Sequence, residues 1–155
     1  MKRILLILAI AAALGASAAA QNGALVIYRP KGKNLGVMHY GQGEHPTIVC
    51  DGRNVAKIAQ NRKAKVEAAP GTHICSANEK QMPVENANSE TIPVNVKPDQ
   101  TTYLRLETHV GHMHFVLKEV PAATGAAEAK KMKPADDEDV YIQVLLENKI
   151  KPLSP

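Results

Sequence analysis

The sequence predicts an all-β protein, an antiparallel β-sandwich, and three observations lead there. Short apolar alternations recur at intervals of about ten residues, with Gly, Pro, Asp and Asn between them. Three of the separators, Asp51-Gly52, Pro70-Gly71 and Lys97-Pro98-Asp99-Gln100, have the composition of tight turns. Helical periodicity is nearly absent, so about eight to ten short strands must bury their apolar sides against one another, which two packed sheets accomplish.

Taken in order, the chain opens on MKRILLILAIAAALGASAAA, with a basic start (Lys2, Arg3), an apolar run from Ile4 to Ala13 and a tail of small residues. That is the pattern of an N-terminal secretory signal helix, residues 1–20. A spanning helix is the competing reading, but it needs roughly 20 apolar residues, and here the run dissolves into Gly, Ser and Ala. Small-x-small triplets end at Ala18 and Ala20, which places cleavage before Ala19 or, preferably, before Gln21. Ser17 stands where a lipoprotein would carry its acylated cysteine, so no lipid anchor is expected.

Ala24 to Arg29 (ALVIYR) reads as the first strand, stopped by Pro30. Lys31 to Pro46 is a long glycine-rich loop with one short apolar piece, Leu35 to Tyr40. TIVC and RNVAKI flank Asp51-Gly52, whose residues tolerate the positive φ of a primed hairpin turn; Ile48 and Cys50 then share the buried side. Strands are expected at Lys65 to Ala69 and Thr72 to Ser76 around Pro70-Gly71, with His73 and Cys75 on one side of the second. Asn78 to Glu90 is polar loop; Thr91 to Val96, Thr102 to Glu107 and Met113 to Val120 are further strands. Beyond Pro121 the composition shifts, with a short helix expected over Gly125 to Lys133, an acidic run Asp136 to Asp139, and a last apolar stretch VYIQVLLE. That stretch fits a strand by its β-branched residues, and helical spacing fits it as well. The expected organisation is a signal peptide at 1–20, a sandwich domain at 21–120 and a C-terminal extension at 121–155.

Without the leader 135 residues remain, enough for one domain with a real core. Lys2 and Arg3 leave with the leader, so 17 of the 19 bases face 15 acids and the mature chain is close to neutral. With no Trp, one Phe and mixed charges, nothing resembles a nucleic-acid surface. Cys50 and Cys75 form an even pair in an exported chain, which favours a disulfide over two buried thiols. Closing that loop stabilises the fold by about 3.5 kcal/mol in the chain-entropy treatment.

The segments YRP (Tyr28 to Pro30), CDGRNVAKI (Cys50 to Ile58), APGTH (Ala69 to His73) and TTYLRL (Thr101 to Leu106) follow one another in an order that resembles a bacterial family of exported domains of unknown function. The Asp-Gly hairpin and the Pro-Gly-x-His strand are similar also to PEGA-type surface modules. The likeness spans residues 24–120, and it departs from the pattern at Asn61-Arg62-Lys63-Ala64 and at both cysteines, where aliphatic residues are usual. It implies an immunoglobulin- or prealbumin-like sandwich of the cell envelope and no catalytic residues.

The candidate chemistry lies in THVGHMHF, Thr108 to Phe115. By strand alternation Met113, Phe115 and Leu117 share the core side, leaving His112 and His114 on the other, about 7 Å apart at Cα. With His109 across the turn and Glu107 on the preceding strand, these histidines are a candidate copper or zinc site, copper being preferred by affinity order. The plainer reading is a hairpin whose exposed positions happen to be histidine. His39 and His45 fall in the long loop, and His73 reads as a strand histidine satisfied by a nearby carbonyl. The acids at 136–139 are consecutive and lack the alternating spacing of a calcium loop. No nucleophile elbow, phosphate loop or His-Glu-x-x-His motif is present, and only a carboxylate pair brought together by the fold stays open. The expectation is an exported, non-enzymatic module of the periplasm or exterior, without cofactor, that meets an envelope protein or a glycan through the loops Lys31 to Pro46 and Asn78 to Glu90. The alternative is a metal-binding protein using His109, His112 and His114.

Overall fold

A computed structural model describes residues 21–31, 45–78, 90–109, 114–142 and 144–145. Among these residues, ten strands form two sheets with one short α-helix. In chain order they are β1 (Gly23–Arg29), β2 (Thr47–Cys50), β3 (Arg53–Lys57), β4 (Arg62–Ala68), β5 (Gly71–Asn78), β6 (Ile92–Val96), β7 (Thr101–His109), β8 (His114–Val120), α1 (Ala122–Ala129), β9 (Lys133–Pro134) and β10 (Val144–Leu145). The larger sheet runs β10-β4-β1-β7-β8, with β9 also on the outer edge of β4; the smaller runs β3-β2-β5-β6.

The alternation that predicted strands also assigns their faces. In β4, Ala64, Val66 and Ala68 are buried while Lys65 and Glu67 are exposed. Leu25 and Ile27 of β1, Leu104 and Leu106 of β7, and Phe115 and Leu117 of β8 meet Ile48, Cys50, Cys75, Ala77, Val94 and Val96 between the sheets. Strand β1 reads as an unbroken apolar run for a physical reason: it lies between β4 and β7 with both faces covered, so its second set, Val26 and Tyr28, is buried as well. At its end the buried Arg29 guanidinium lies 4.6 Å from the centre of the Phe115 ring, a cation–π contact.

The expectation of uniformly antiparallel strands is corrected. β1 pairs with β7 in parallel, and β9 and β10 both run parallel to β4. Tight turns impose antiparallel pairing only on neighbours in sequence; β1 and β7 are joined by no turn, and each takes its direction from the end at which the chain arrives. The helix is also displaced from Gly125–Lys133. Pro121 occupies the position before it with φ −53°, the Gly125 amide donates to the Pro121 carbonyl, and the helix starts as soon as β8 ends. Gly125 is there because α1 crosses directly over Tyr103: a β-carbon on it would lie 2.3 Å from Tyr103 Cβ.

The residues after the helix seal one flank. β9 and β10 cover opposite ends of the β4 edge, Val140 bridges to Ala56 on β3, and the Tyr141 amide donates to the Val55 carbonyl. Ala135, Val140 and Ile142 pack against the inter-sheet core, and Leu145 is buried in it.

Register gives the molecule two distinct poles. At one, β2 turns into β3 at Asp51-Gly52 (φ 52° and 72°), β4 passes to β5 through Pro70-Gly71, and β6 passes to β7 through a turn with Asp99 at φ 54°. Each of these three connections at the turn pole is short. At the other pole β1 ends and β2 begins, Thr47 is the register partner of Asn78 at the end of β5, and His109 is the partner of His114 at the end of the β7–β8 hairpin. The described residues that flank 32–44, 79–89 and 110–113 therefore all lie toward this loop pole.

Candidate functional site

The turn pole holds the most concentrated chemistry among the described residues. Cys50 and Cys75 are directly opposed on β2 and β5 with Cα atoms 4.1 Å apart, and they form the disulfide the sequence suggested. The bridge lies within one sheet, and both residues are completely buried. One step beyond it, Asp51 Oδ2 lies 2.7 Å from His73 Nδ1, and Asp51 Oδ1 accepts the Ile74 amide at 2.9 Å. His73 Nε2 lies 2.8 Å from the Ala69 carbonyl, and the Ala69 amide donates to the Leu145 carbonyl. The His73 side chain is 1% exposed and that of Asp51 5%. His73 is thus a satisfied strand histidine, as its sequence context suggests, with a carboxylate partner that the sequence did not disclose. Asp51 is explained completely by its turn when only local pattern is considered. The signal was available, because a Cys50–Cys75 pairing puts residue 51 opposite residue 74, next to His73. Both ring nitrogens and both carboxylate oxygens are engaged within the pair and its main-chain neighbours.

A second network lies on the outer face of the larger sheet, where α1 crosses from β7 to β4. The Tyr28 hydroxyl donates to Glu128 Oε2 at 2.7 Å. Arg105 reaches Glu128 Oε1 at 3.3 Å on one side and Glu107 on the other, and Lys118 Nζ lies 2.8 Å from the second Glu107 oxygen. Lys63 closes the far end by donating to the Ala129 carbonyl at the last turn of the helix. Burial, and then the Glu128 carboxylate at its oxygen, pushes the Tyr28 hydroxyl far above its usual range. For Glu107 burial acts to raise the pKa, but the Lys118 ammonium and the Arg105 guanidinium outweigh it and hold the carboxyl below its ordinary value. Arg105 likewise loses to burial and gains more from Glu107 and Glu128, for a net rise. The Arg105 guanidinium bridges the Glu107 and Glu128 carboxylates.

The predicted metal residues divide. His109 and His114 are register partners closing the β7–β8 hairpin, and His112 falls outside the described residues. His45 is exposed at the same pole, and His39 lies outside the described residues. Among the described residues no group of three or more His, Cys, Asp or Glu side chains converges as a metal site would require. Of the two loops expected to meet a partner, the anchors Lys31, His45, Asn78 and Glu90 are described, and residues 32–44 and 79–89 lie outside the described set. Among the described residues no helix is long and apolar enough to cross a membrane.

Comparison of the chain with protein-family models, with curated proteins and with solved structures finds no match in any of the three.

Proposed function

We propose that this chain is an exported, non-enzymatic β-sandwich of the bacterial cell envelope, immunoglobulin- or prealbumin-like in plan, which binds an envelope protein or a glycan through the loop pole. The observation that carries the reading is the asymmetry of the two ends. The two long connections, between β1 and β2 and between β5 and β6, join the scaffold at one pole, whereas short turns close the other, and a rigid scaffold that gathers its long connections at one end is built for recognition. The engagement of Cys50, Cys75, Asp51 and His73 with one another supports the non-catalytic part. The leader and the small residues before Gln21 support export, and the order of its motifs supports kinship with exported domains of unknown function.

Photo-crosslinking in intact cells tests the reading. A crosslinking side chain at Lys31, His45 or Glu90 should yield a discrete adduct, and one at Thr72 or Asp99 of the turn pole should not. Equal adducts from both poles, or none from either, would reject it. One observation favours a second reading, copper or zinc binding at His109, His112 and His114: the first and last of these are opposed in register. Titration with copper followed through the imidazole resonances decides between the two.

A further inference from the structure

The disulfide and the Asp51–His73 pair occupy adjacent positions of one ladder, and their arrangement couples them. Antiparallel strands alternate hydrogen-bonded pairs with closer pairs that share no main-chain bond, and the 4.1 Å separation of Cys50 and Cys75 marks a pair of the second kind. Its register is therefore held by its neighbours. Toward the loop pole the neighbour is Val49 opposite Ser76. Toward the turn pole the chain has already entered the Asp51-Gly52 turn. There the Asp51 amide still donates to the Ile74 carbonyl, but the Ile74 amide is received by the Asp51 carboxylate in place of a strand carbonyl. His73 holds that carboxylate in position, and is itself held by Ala69.

We propose that the Asp51–His73 clamp is the gate through which thiols reach the Cys50–Cys75 disulfide. Both cysteines have no exposed surface, so an attacking thiolate must wait for the ladder to open, and the end held by a side chain opens before the end continued by strand. The chemistry is ordinary exchange with a dithiol. One thiolate of the reagent attacks a cysteine sulfur and the S–S bond breaks, the other cysteine leaving as a thiolate that takes a proton from water. The second thiolate of the reagent then resolves the mixed disulfide. The dithiol is oxidised by two electrons and both cysteines end as thiols. The clamp takes no part in these bonds; Asp51 and His73 are positioning residues that set how often the sulfurs can be reached. This inference is independent of what the loop pole binds.

Dithiothreitol is the probe, and loss of the disulfide from the folded full-length mature chain is followed by alkylation and mass spectrometry. Asp51→Ala and His73→Leu should each be reduced about a hundred- to a few thousandfold faster than the unsubstituted protein, the range expected when one member of a buried pair guarding an opening is removed. Gly125→Ala, which loosens the helix on the other sheet, should be reduced within about twofold of the unsubstituted rate if the opening is local. The proposal is overturned if Gly125→Ala accelerates reduction as much as the clamp variants do for the same loss of stability, since opening would then be global. Should the clamp variants fail to fold, hydrogen exchange in the unsubstituted protein decides the matter: the Ile74 amide must exchange through an opening more frequent than that of Leu104, and equal protection of the two would refute the gate.

Discussion

The two polar networks tie side chains to their surroundings in different ways, one by burial and one at the surface. At the turn pole, Asp51 and His73 are withdrawn from water almost entirely, and each has a second bond to the main chain. On the outer face, the Tyr28–Glu128–Arg105–Glu107–Lys118 chain is longer and stays partly solvated, with Lys118 57% exposed. A buried pair is costly to form and far more costly to break, because removing one member strands the other in a low-dielectric interior. A half-exposed chain gives each link a small value and loses it gradually, since water replaces the missing partner. The first network closes the ladder next to its disulfide, and the second seats a helix that would not be stable alone.

The largest expected effect follows from breaking the buried pair. His73→Leu keeps much of the volume but leaves the Asp51 carboxylate without its partner, and should cost about 3–5 kcal/mol in denaturant unfolding. A cost below about 1 kcal/mol would mean that the pair is solvated and the contrast false. Next comes Gly125→Ala, where a methyl group must displace α1 from Tyr103; about 1–3 kcal/mol of overpacking is expected, and the Tyr28–Glu128 bond should loosen with it.

Tyr28→Phe should cost about 1 kcal/mol at neutral pH, the net value of a hydrogen bond to a charged acceptor less what water restores. It should also change the alkaline behaviour. Tyr28 is held protonated in the fold above its unfolded value of 10.0, so its contribution is complete below that pH and is lost as pH rises beyond it; the variant's stability should fall less steeply there. The smallest effect belongs to Glu107→Gln, at about a few tenths of a kcal/mol near neutrality. Because its folded carboxyl lies below the ordinary 4.5, its contribution is present above that pH and disappears as pH falls further, so the variant should lose less stability on acidification than the unsubstituted protein.

Much of the sandwich was legible because its signals are local. Period-two alternation places Phe115 and Leu117 inside and Lys118 outside, and Asp51-Gly52 adopts the two positive φ values its turn type requires. The disulfide was legible from the even cysteine count together with the expectation of export. The parallel pairing of β1 with β7 was not, since no local pattern records which way a remote strand runs. Neither was the start of β4 at Arg62, where Asn61 turns the chain at φ 57° and donates its amide to the Arg29 carbonyl. For the candidate site, the sequence named His73 and its carbonyl. It did not name Asp51, because a turn-forming aspartate already has a sufficient local explanation, and only strand register reveals its second role. The Tyr28–Glu128 bond joins residues 100 apart, and no spacing rule reaches that far.

The contrast between the poles rests above all on His73 being enclosed and fully bonded while His45 at the loop pole meets water. Carbethoxylation of the folded protein by diethyl pyrocarbonate, mapped peptide by peptide with mass spectrometry, measures this directly. The expected result is rapid modification of His45 and none of His73 until the chain is unfolded; modification of His73 at the rate of His45 in the folded protein would contradict it.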